Sequence, residues 1–224
     1  MKISDINPHI RFAKIHYRLT PIKCTSICYD CRLFFIKSGS GTITVQNQKY
    51  DISNNTVIYL PPRSRYQFHF EKNTSYPCII VLDFDLINDF AHITKSLGTA
   101  NEENYDETLS PIYELPEEFA EIIIAKAAPL CEPLTKCTQE FLTMDYLYRE
   151  SSSAFLKWSL LELLRKYSLS EKSEKIDLVL SYIHENYSTG TLTNETIAEK
   201  FNYHPYYLSC MTKQATGKPL HQYL

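Results

Sequence analysis

The sequence predicts an α+β protein with an N-terminal antiparallel β-barrel, a helical linker and a C-terminal three-helix unit. Up to about residue 85, short runs rich in Val, Ile, Tyr, Phe and Thr are separated by turn residues, a pattern typical of antiparallel strands. The following segments are longer, acidic and interrupted by prolines. Near the C-terminus two short amphipathic patterns follow each other closely and predict two packed helices.

The predicted strands lie in six runs of the N-terminal region. They read RFAKIHYRL, RLFFIKSGSG, GTITVQNQKY, NTVIYLPP, RYQFHFEK and YPCIIVLDFD. The Ser-Gly-Ser-Gly turn at 38–41 and the double proline at 61–62 mark places where a strand ends, since proline cannot donate to a sheet ladder. Alternation alone leaves open which side of each strand faces inward, because a shift by one residue exchanges the two sides.

Composition places the chain among ordinary globular proteins. Seven cysteines at scattered positions favour reduced thiols over a disulfide framework and so predict a cytoplasmic protein. No apolar run approaches the roughly 20 residues that a membrane-spanning helix needs, and the first ten residues lack the apolar region of a secretory signal. The net charge is −3, and residues 171–224 carry five Lys and Arg against six Asp and Glu, so charge alone does not favour contact with DNA phosphates.

A long amphipathic helix is predicted at about 153–168. Its apolar residues recur on one face at Leu156, Leu160, Leu163, Leu164 and Tyr167. Such a face either covers the open side of the sheet or forms a dimer with a second copy, and the pattern fits both.

A polar stretch at 168–175, SLSEKSEK, has the composition of a domain junction. We therefore predict a barrel at 1–90, a helical linker with the possible dimerisation face at 91–170, and a separate unit at 171–224. A further helical pattern with Ile176 and Val179 on its apolar face opens that last unit.

The segment LTNETIAEKFNYHPYYLSCMTKQATG predicts two helices joined by a tight turn. Thr193 is a good N-cap for the first helix, and the small Ala198 lets the helices approach closely. Pro205 suits the first position of the second helix, where its missing N–H costs nothing. Leu208, Met211 and Ala215 are expected on the inner face of that helix. Short helix, tight turn and second helix are the elements of a helix-turn-helix.

The same region resembles the first helix-turn-helix half of the AraC/XylS family of transcription regulators, through LT...IAEKF.Y.P.YLS.M.K..TGKPL..YL. Upstream, DCRLFFIKSGSGTITVQNQKYDISNNTVIYLPPRSRYQF is similar to the cupin-like effector barrel that commonly precedes it. The resemblance implies a dimeric, effector-responsive transcription regulator that binds DNA. The family carries two such units and only the first is matched, so we expect weak specific binding to DNA by this chain.

The resemblance also implies site residues. On the second helix, Tyr206, Ser209 and Cys210 are expected to face DNA bases and Lys213 a phosphate. Alternatively, the ring of Tyr206 or Tyr207 packs against the unit itself. A small effector, often a sugar in such regulators, is expected in the barrel, with lining candidates Arg11, His16, Arg32, Phe34, Tyr59 and Phe68.

Two other functions remain open at this stage: a metal-dependent cupin enzyme, and a stand-alone sensor that dimerises with a full-length regulator and blocks it. A cupin enzyme needs converging His and carboxylate ligands, but His69 and Glu71 have no second histidine beside them. Cys24, Cys28 and Cys31 lack a fourth ligand nearby for zinc. We therefore expect no metal, no cofactor and no enzymatic activity.

Overall fold

The part of the chain that is described contains ten strands, five α-helices and several short 3-10 helices. The computed structural model describes residues 1–17, 25–70, 77–87, 98–110, 114–187 and 192–224, without the side chains of 168–174. The strands are β1 (His9–His16), β2 (Ser26–Cys28), β3 (Cys31–Ser38), β4 (Gly41–Val45), β5 (Gln48–Ile52), β6 (Thr56–Leu60), β7 (Arg65–Phe70), β8 (Cys78–Asp85), β9 (Thr99–Asn101) and β10 (Ile123–Lys126). The helices are α1 (Cys131–Thr143), α2 (Tyr148–Asn186), α3 (Asn194–Lys200), α4 (Pro205–Thr216) and α5 (Leu220–Tyr223).

Two five-stranded antiparallel sheets replace the single barrel predicted from the sequence. One runs in the order β1-β8-β3-β6-β10 and the other β5-β4-β7-β2-β9. No described strand of one sheet pairs with a strand of the other sheet, so the two sheets do not close into a barrel. The chain changes sheet between every two consecutive described strands except β4 and β5. The predicted α+β class is confirmed, and each of the six predicted runs overlaps at least one strand.

The turn between β3 and β4 depends on its glycines. Gly39 has a φ of 112°, in the region that residues with a side chain rarely adopt. At Gly41 an added Cβ would lie 2.2 Å from the carbonyl oxygen of His69 on β7. Close approach of β4 to β7 therefore requires glycine here, which gives the Ser-Gly-Ser-Gly turn a physical reason.

Aromatic residues from both sheets meet in the core between them. Phe34 on β3 lies 4.9 Å from Phe68 and 5.3 Å from Tyr66, ring centroid to centroid and edge to face. Phe68 stacks on Phe70. Such pairs add about 0.5–1.5 kcal/mol to the free energy gained by burial. Aliphatic side chains such as Ile36, Ile43 and Ile58 fill the rest of the space between the sheets.

The first sheet is also covered on its other face. β3, β6 and β8 are buried along nearly their whole length, whereas β4 alternates between buried and half-buried positions. Helix α1 contacts β1, β3 and β8, and the Tyr59 hydroxyl donates to the carbonyl of Phe119 at 3.0 Å. Because the first sheet is covered on both faces, β3 and β6 contain nearly continuous apolar runs instead of alternating apolar and polar residues.

The region beyond residue 90 differs from the predicted helical linker. Strand β9 pairs with β2 and β10 pairs with β6, so both sheets are completed by residues from this region. Helix α2 begins at Tyr148 rather than near 153 and continues through the polar stretch 168–175 to Asn186. The chain divides into two compact units, Met1–Leu164 and Arg165–Leu224.

Within the described residues, no helix is long and apolar enough to cross a membrane.

Candidate functional site

Capping side chains fix where α3 and α4 begin. The backbone N–H of Thr196 donates to the Thr193 hydroxyl at 3.2 Å, and the Thr193 N–H donates to the Thr196 hydroxyl at 2.9 Å. Before α4, the ring of His204 accepts from the Tyr206 N–H at 3.3 Å, and Pro205 is the first helical residue. Each cap satisfies an N–H that has no partner inside the helix.

The turn between α3 and α4 is held by backbone geometry. Asn202 adopts a left-handed conformation with a φ of 55°, which asparagine tolerates better than most residues. The Tyr203 N–H then donates to the carbonyl of Ala198 at 2.8 Å. This reversal brings α4 back against α3, with the nearly fully buried Ala198 at the close approach.

One side of α4 is buried in the core of the second unit. Leu208 is fully buried and Met211 nearly so, and both pack with the helical segment around Val179 and Ile183 and with α3. Ala215, predicted on this side, is exposed, and Thr212 takes the inner position instead. The Thr212 hydroxyl donates to the Leu208 carbonyl at 2.9 Å, so its polar group is satisfied within the helix.

The opposite side of α4 faces solvent. Tyr206 is 75% exposed, and Cys210 and Lys213 are exposed as well. These positions are four and three residues apart, so they line one helix face. The structure thus brings together three of the four residues predicted to contact DNA.

The fourth predicted contact, Ser209, has a structural partner. Its hydroxyl oxygen accepts from the backbone N–H of Leu220, at the start of α5, at 3.3 Å. The hydroxyl oxygen of Tyr223, also on α5, lies 2.9 Å from Nε2 of His184. Ser209 is half-buried, and its hydroxyl links α4 to α5. Tyr207 is less exposed than Tyr206 and its ring lies 5.7 Å from that of Tyr203.

A buried polar cluster lies around Arg32 in the sheet unit, residues Met1–Leu164. The Arg32 guanidinium donates to both carboxylate oxygens of Asp83 at 2.5 and 2.6 Å and to the Tyr66 hydroxyl at 2.7 Å. It also lies over the ring of Phe34, 5.7 Å from its centroid. The bidentate geometry is the strongest pairing available to an arginine and a carboxylate.

Electrostatics keep this cluster charged although it is buried. Burial alone would lower the pKa of Arg32, but the carboxylate of Asp83 and the nearby Tyr66 outweigh it and raise the pKa. Burial raises the pKa of Tyr66, against the opposing effect of Arg32. Nearby, burial raises the pKa of Cys28 to about 12, so this thiol stays protonated and unreactive.

The predicted effector-site residues divide into two groups. Arg32, Phe34 and Phe68 lie on the face of their strands that looks into the space between the sheets. His16 is half-buried on β1, and burial together with Lys14 and Arg32 lowers its pKa. Tyr59 does not belong with them, because its side chain points to the other face of the first sheet.

Arg11 belongs to a second ion-pair cluster. Its Nε donates to Asp85 at 2.7 Å and lies 3.8 Å from a carboxylate oxygen of Asp30. Its side chain is 1% exposed. Arg11 thus takes part in a buried ion pair, as Arg32 does, and its place in an effector pocket stays a prediction.

Sequence reasoning missed Asp83 and Tyr66, the two partners of Arg32. Two acidic residues alternate in the apolar run VLDFD of β8. A carboxylate in a buried strand requires a cationic or hydrogen-bonding partner, and this signal points to a nearby arginine.

The predicted dimerisation face is buried within a single chain. Leu156, Leu160 and Leu163 are 0% exposed, and Leu164 and Tyr167 are half-buried. Side chains with no exposed surface cannot contact a second subunit. The other interpretation, a helix that covers its own unit, accounts for these leucines. Alongside them the Ser153 hydroxyl donates to the carbonyl of Pro8 at 2.6 Å.

Among the described residues, no group of three or more His, Cys, Asp or Glu side chains is placed to hold a metal ion. Cys28 and Cys31 are both buried thiols, and Cys24 lies outside the described residues.

Comparisons with known proteins found similarity in structure only. No family model matches the chain, and no curated protein does. Among solved structures, the chain is similar to ToxT from Vibrio cholerae O395 bound to (E)-4-(8-methylnaphthalen-1-yl)but-3-enoic acid, with 13% identity, 96% of this chain and 98% of that chain covered and a TM-score of 0.42.

Two further structures show the same level of similarity or less. Unsaturated fatty acid bound wild-type ToxT from Vibrio cholerae strain SCE256 shares 14% identity over 95% of this chain and 94% of that chain, with a TM-score of 0.40. A cupin protein from Bacteroides fragilis shares 10% identity over 46% of this chain and 75% of that chain, with a TM-score of 0.27. These values do not assign the chain to a family.

Proposed function

We propose that this protein is an effector-responsive, dimeric DNA-binding transcription regulator of the AraC type, with α3 and α4 as a helix-turn-helix. The observation that carries the proposal is the division of α4 into a buried and an exposed side. Leu208 and Met211 pack inward, while Tyr206, Cys210 and Lys213 are exposed together. A recognition helix needs this arrangement, since its outer face enters the major groove.

The exposed face of α4 offers chemistry suited to DNA. Tyr206 can pack on a thymine methyl group and Lys213 can reach a phosphate. Lys218, directly after the helix-ending Gly217, is exposed as well. Lys200 on α3 lies over the ring of Tyr182, 4.2 Å from its centroid. Lys213 is thus the basic residue on the exposed face of α4, and Lys200 and Lys218 lie before and after this helix. So few basic groups favour modest affinity with a shallow dependence on salt.

Fluorescence anisotropy tests DNA binding directly. The probes are a labelled duplex selected by this protein from a randomised library and an unrelated duplex of equal length, titrated at several salt concentrations. Lys213→Ala is expected to weaken binding to both duplexes and to reduce the slope of log K against log salt by about one unit. Tyr206→Ala is expected to weaken binding to the selected duplex by about tenfold, as the loss of one base contact does.

A matched charge control is Lys49→Ala, which removes an exposed lysine on β5 in the other unit. This variant is expected to bind like the unsubstituted protein. If Lys49→Ala weakens binding as much as Lys213→Ala, the interaction is a general charge effect and α4 is not the contact. Absence of binding to every duplex at low salt contradicts the proposal outright.

The effector part of the proposal rests on the Arg32 cluster. A ligand that reaches it meets a guanidinium already paired with Asp83, which favours an uncharged polar ligand such as a sugar over an anion. Rings of Phe34 and Tyr66 lie beside the cluster, as is common where small molecules bind. Ligand and DNA affinities would then be coupled, and the anisotropy titration repeated with candidate sugars and fatty acids measures that coupling.

A further inference from the structure

Two half-buried cysteines begin two elements that pack on each other. Cys78 is the first residue of β8, Cys131 is the first residue of α1, and α1 contacts β8. The other described cysteines of the sheet unit are buried: Cys28, Cys31 and Cys137. Among the residues that the structure describes, Cys78 and Cys131 are therefore the thiols of this unit that a dissolved reagent can reach.

The strand register places Cys78 on the face of the first sheet that α1 covers. Ile79 points into the core between the sheets, so Cys78, one position earlier, points to the other face. On the neighbouring strand β3, Cys78 lies opposite Ser38, and the ladder is irregular between Ile36 and Ser38. Lys37 is the residue at this irregularity, so it lies beside Cys78.

Lys37 connects the surroundings of the two cysteines. Its ammonium group donates to the hydroxyl of Thr135 on α1 at 3.2 Å. Thr135 lies one helical turn after Cys131 on the same helix face, and its hydroxyl donates to the Cys131 carbonyl at 2.6 Å. The Lys37 side chain thus reaches from the position beside Cys78 to the first turn of α1, where Cys131 lies.

Electrostatics place the same three groups together. Burial raises the pKa of the Cys78 thiol, the ammonium of Lys37 lowers it, and the thiol of Cys131 raises it further. Such effects fall off with distance, so they agree with the contacts of Lys37. By contrast, burial raises the pKa of Cys137, farther along α1, to about 12, which leaves that thiol unreactive.

We propose that Cys78 and Cys131 form an oxidant-sensitive thiol pair, which a peroxide converts into a disulfide between β8 and α1. One thiolate attacks the O–O bond of hydrogen peroxide and becomes a sulfenic acid, and the hydroxide that leaves takes up the thiol proton to give water. The second thiol attacks the sulfenic sulfur and releases a second water molecule. Two thiols and one peroxide thus give one disulfide and two waters.

The proposal goes beyond DNA binding and effector binding and depends on neither. In the cytosol, disulfides are commonly transient and report the redox state. A bond between Cys78 and Cys131 would tie the helix layer covalently to the first sheet, whereas the reduced form is held there by packing and by the Lys37 contact.

Tryptic peptides identify the linkage directly. Cleavage after lysine gives peptide 73–95, whose one cysteine is Cys78, and peptide 127–136, whose one cysteine is Cys131. Reduced protein is treated with hydrogen peroxide, the remaining thiols are alkylated, and the digest is analysed by mass spectrometry. We expect the two peptides to be joined, with a mass two hydrogen atoms below their sum, and dithiothreitol to separate them.

Serine substitutions test which thiols form the pair. Cys131→Ser is expected to abolish the joined peptide. The matched control, Cys210→Ser, removes the exposed thiol of the other unit and should leave the yield unchanged. Because the disulfide closes a long loop, peroxide is also expected to raise the melting temperature of the sheet unit by about 5 °C or more. Cys131→Ser should not show this rise, and melts of the untreated variants confirm that they are folded.

Lys37 tests the electrostatic part of the proposal. Without its ammonium group, a smaller fraction of Cys78 is thiolate at neutral pH. Lys37→Met is therefore expected to slow disulfide formation about threefold or more and to move the rise of the rate to higher pH, whereas Lys37→Arg keeps the charge and the rate. The control Lys49→Met, at an exposed lysine of β5, should leave the rate and its pH profile unchanged.

Three results would overturn the proposal. If peptides 73–95 and 127–136 are not found joined after peroxide treatment, Cys78 and Cys131 are not a pair. If Cys131→Ser still shows the rise in melting temperature, a different reaction causes it. If Cys78 is joined mainly to the peptide that contains Cys210, the disulfide forms between molecules and not within the sheet unit.

Discussion

Replacing Asp83 with asparagine is expected to lower the free energy of unfolding of the sheet unit by about 3–5 kcal/mol, the cost of removing one partner from a buried ion pair. Asp83 is 2% and Arg32 8% exposed, so the guanidinium would remain buried without its counter-charge. Urea unfolding followed by Trp158 fluorescence measures the change, since the single tryptophan lies in this unit.

The chain contains a matched control for this substitution. Arg65 and Glu102 also form an ion pair, at 3.1 Å, but their side chains are 62% and 56% exposed. Glu102→Gln is therefore expected to cost less than about 1 kcal/mol, as exposed pairs do. If Asp83→Asn and Glu102→Gln lower the free energy of unfolding by equally small amounts, water reaches the Arg32 cluster in solution.

Leu208→Ala is expected to lower the free energy of unfolding of the C-terminal unit by about 2–5 kcal/mol, through lost burial and the cavity that remains. Leu208 is fully buried, and residues 165–224 form a small unit. A domain of roughly 60 residues has little stability to spare, so this change is expected to unfold the unit at moderate temperature. Differential scanning calorimetry detects the loss as a separate transition at lower temperature.

Tyr206→Ala separates stability from binding on the same helix. Its side chain is 75% exposed, so the expected change in stability is within about 0.5 kcal/mol, although DNA affinity falls. If Tyr206→Ala destabilises the unit as much as Leu208→Ala does, Tyr206 is a core residue and α4 is rotated about its axis relative to the structure.

The strands of the first 85 residues could be predicted from their sequence because β-branched and aromatic runs are bounded by turn residues. Strand β10, Ile123–Lys126, could not, since four residues in an acidic and proline-containing region carry too little alternation. The stretch 168–175 has polar composition but neither proline nor glycine, so nothing in it forces a helix to end, and α2 continues through it.

Site residues were predictable only where the sequence pattern shows which side of a helix or strand faces the core. Helix periodicity placed Leu208 and Met211 on the buried side of α4 correctly, but it also placed Ala215 there, which is exposed. In the strands, alternation cannot distinguish the two sides of a sheet that is buried on both, so Tyr59 was grouped with Phe34 although their side chains point oppositely. The leucines of α2 posed the same problem, because an apolar stripe packs equally well against its own unit or a partner.

Backbone amide resonances, recorded while the selected duplex is titrated, test most directly whether α4 contacts DNA. The proposed function predicts that chemical-shift changes concentrate at Tyr206, Cys210 and Lys213 and at the turn before α4, while the strands of the sheet unit change little. Changes confined to the sheet unit, or resonances of α4 unchanged at saturating DNA, would contradict it.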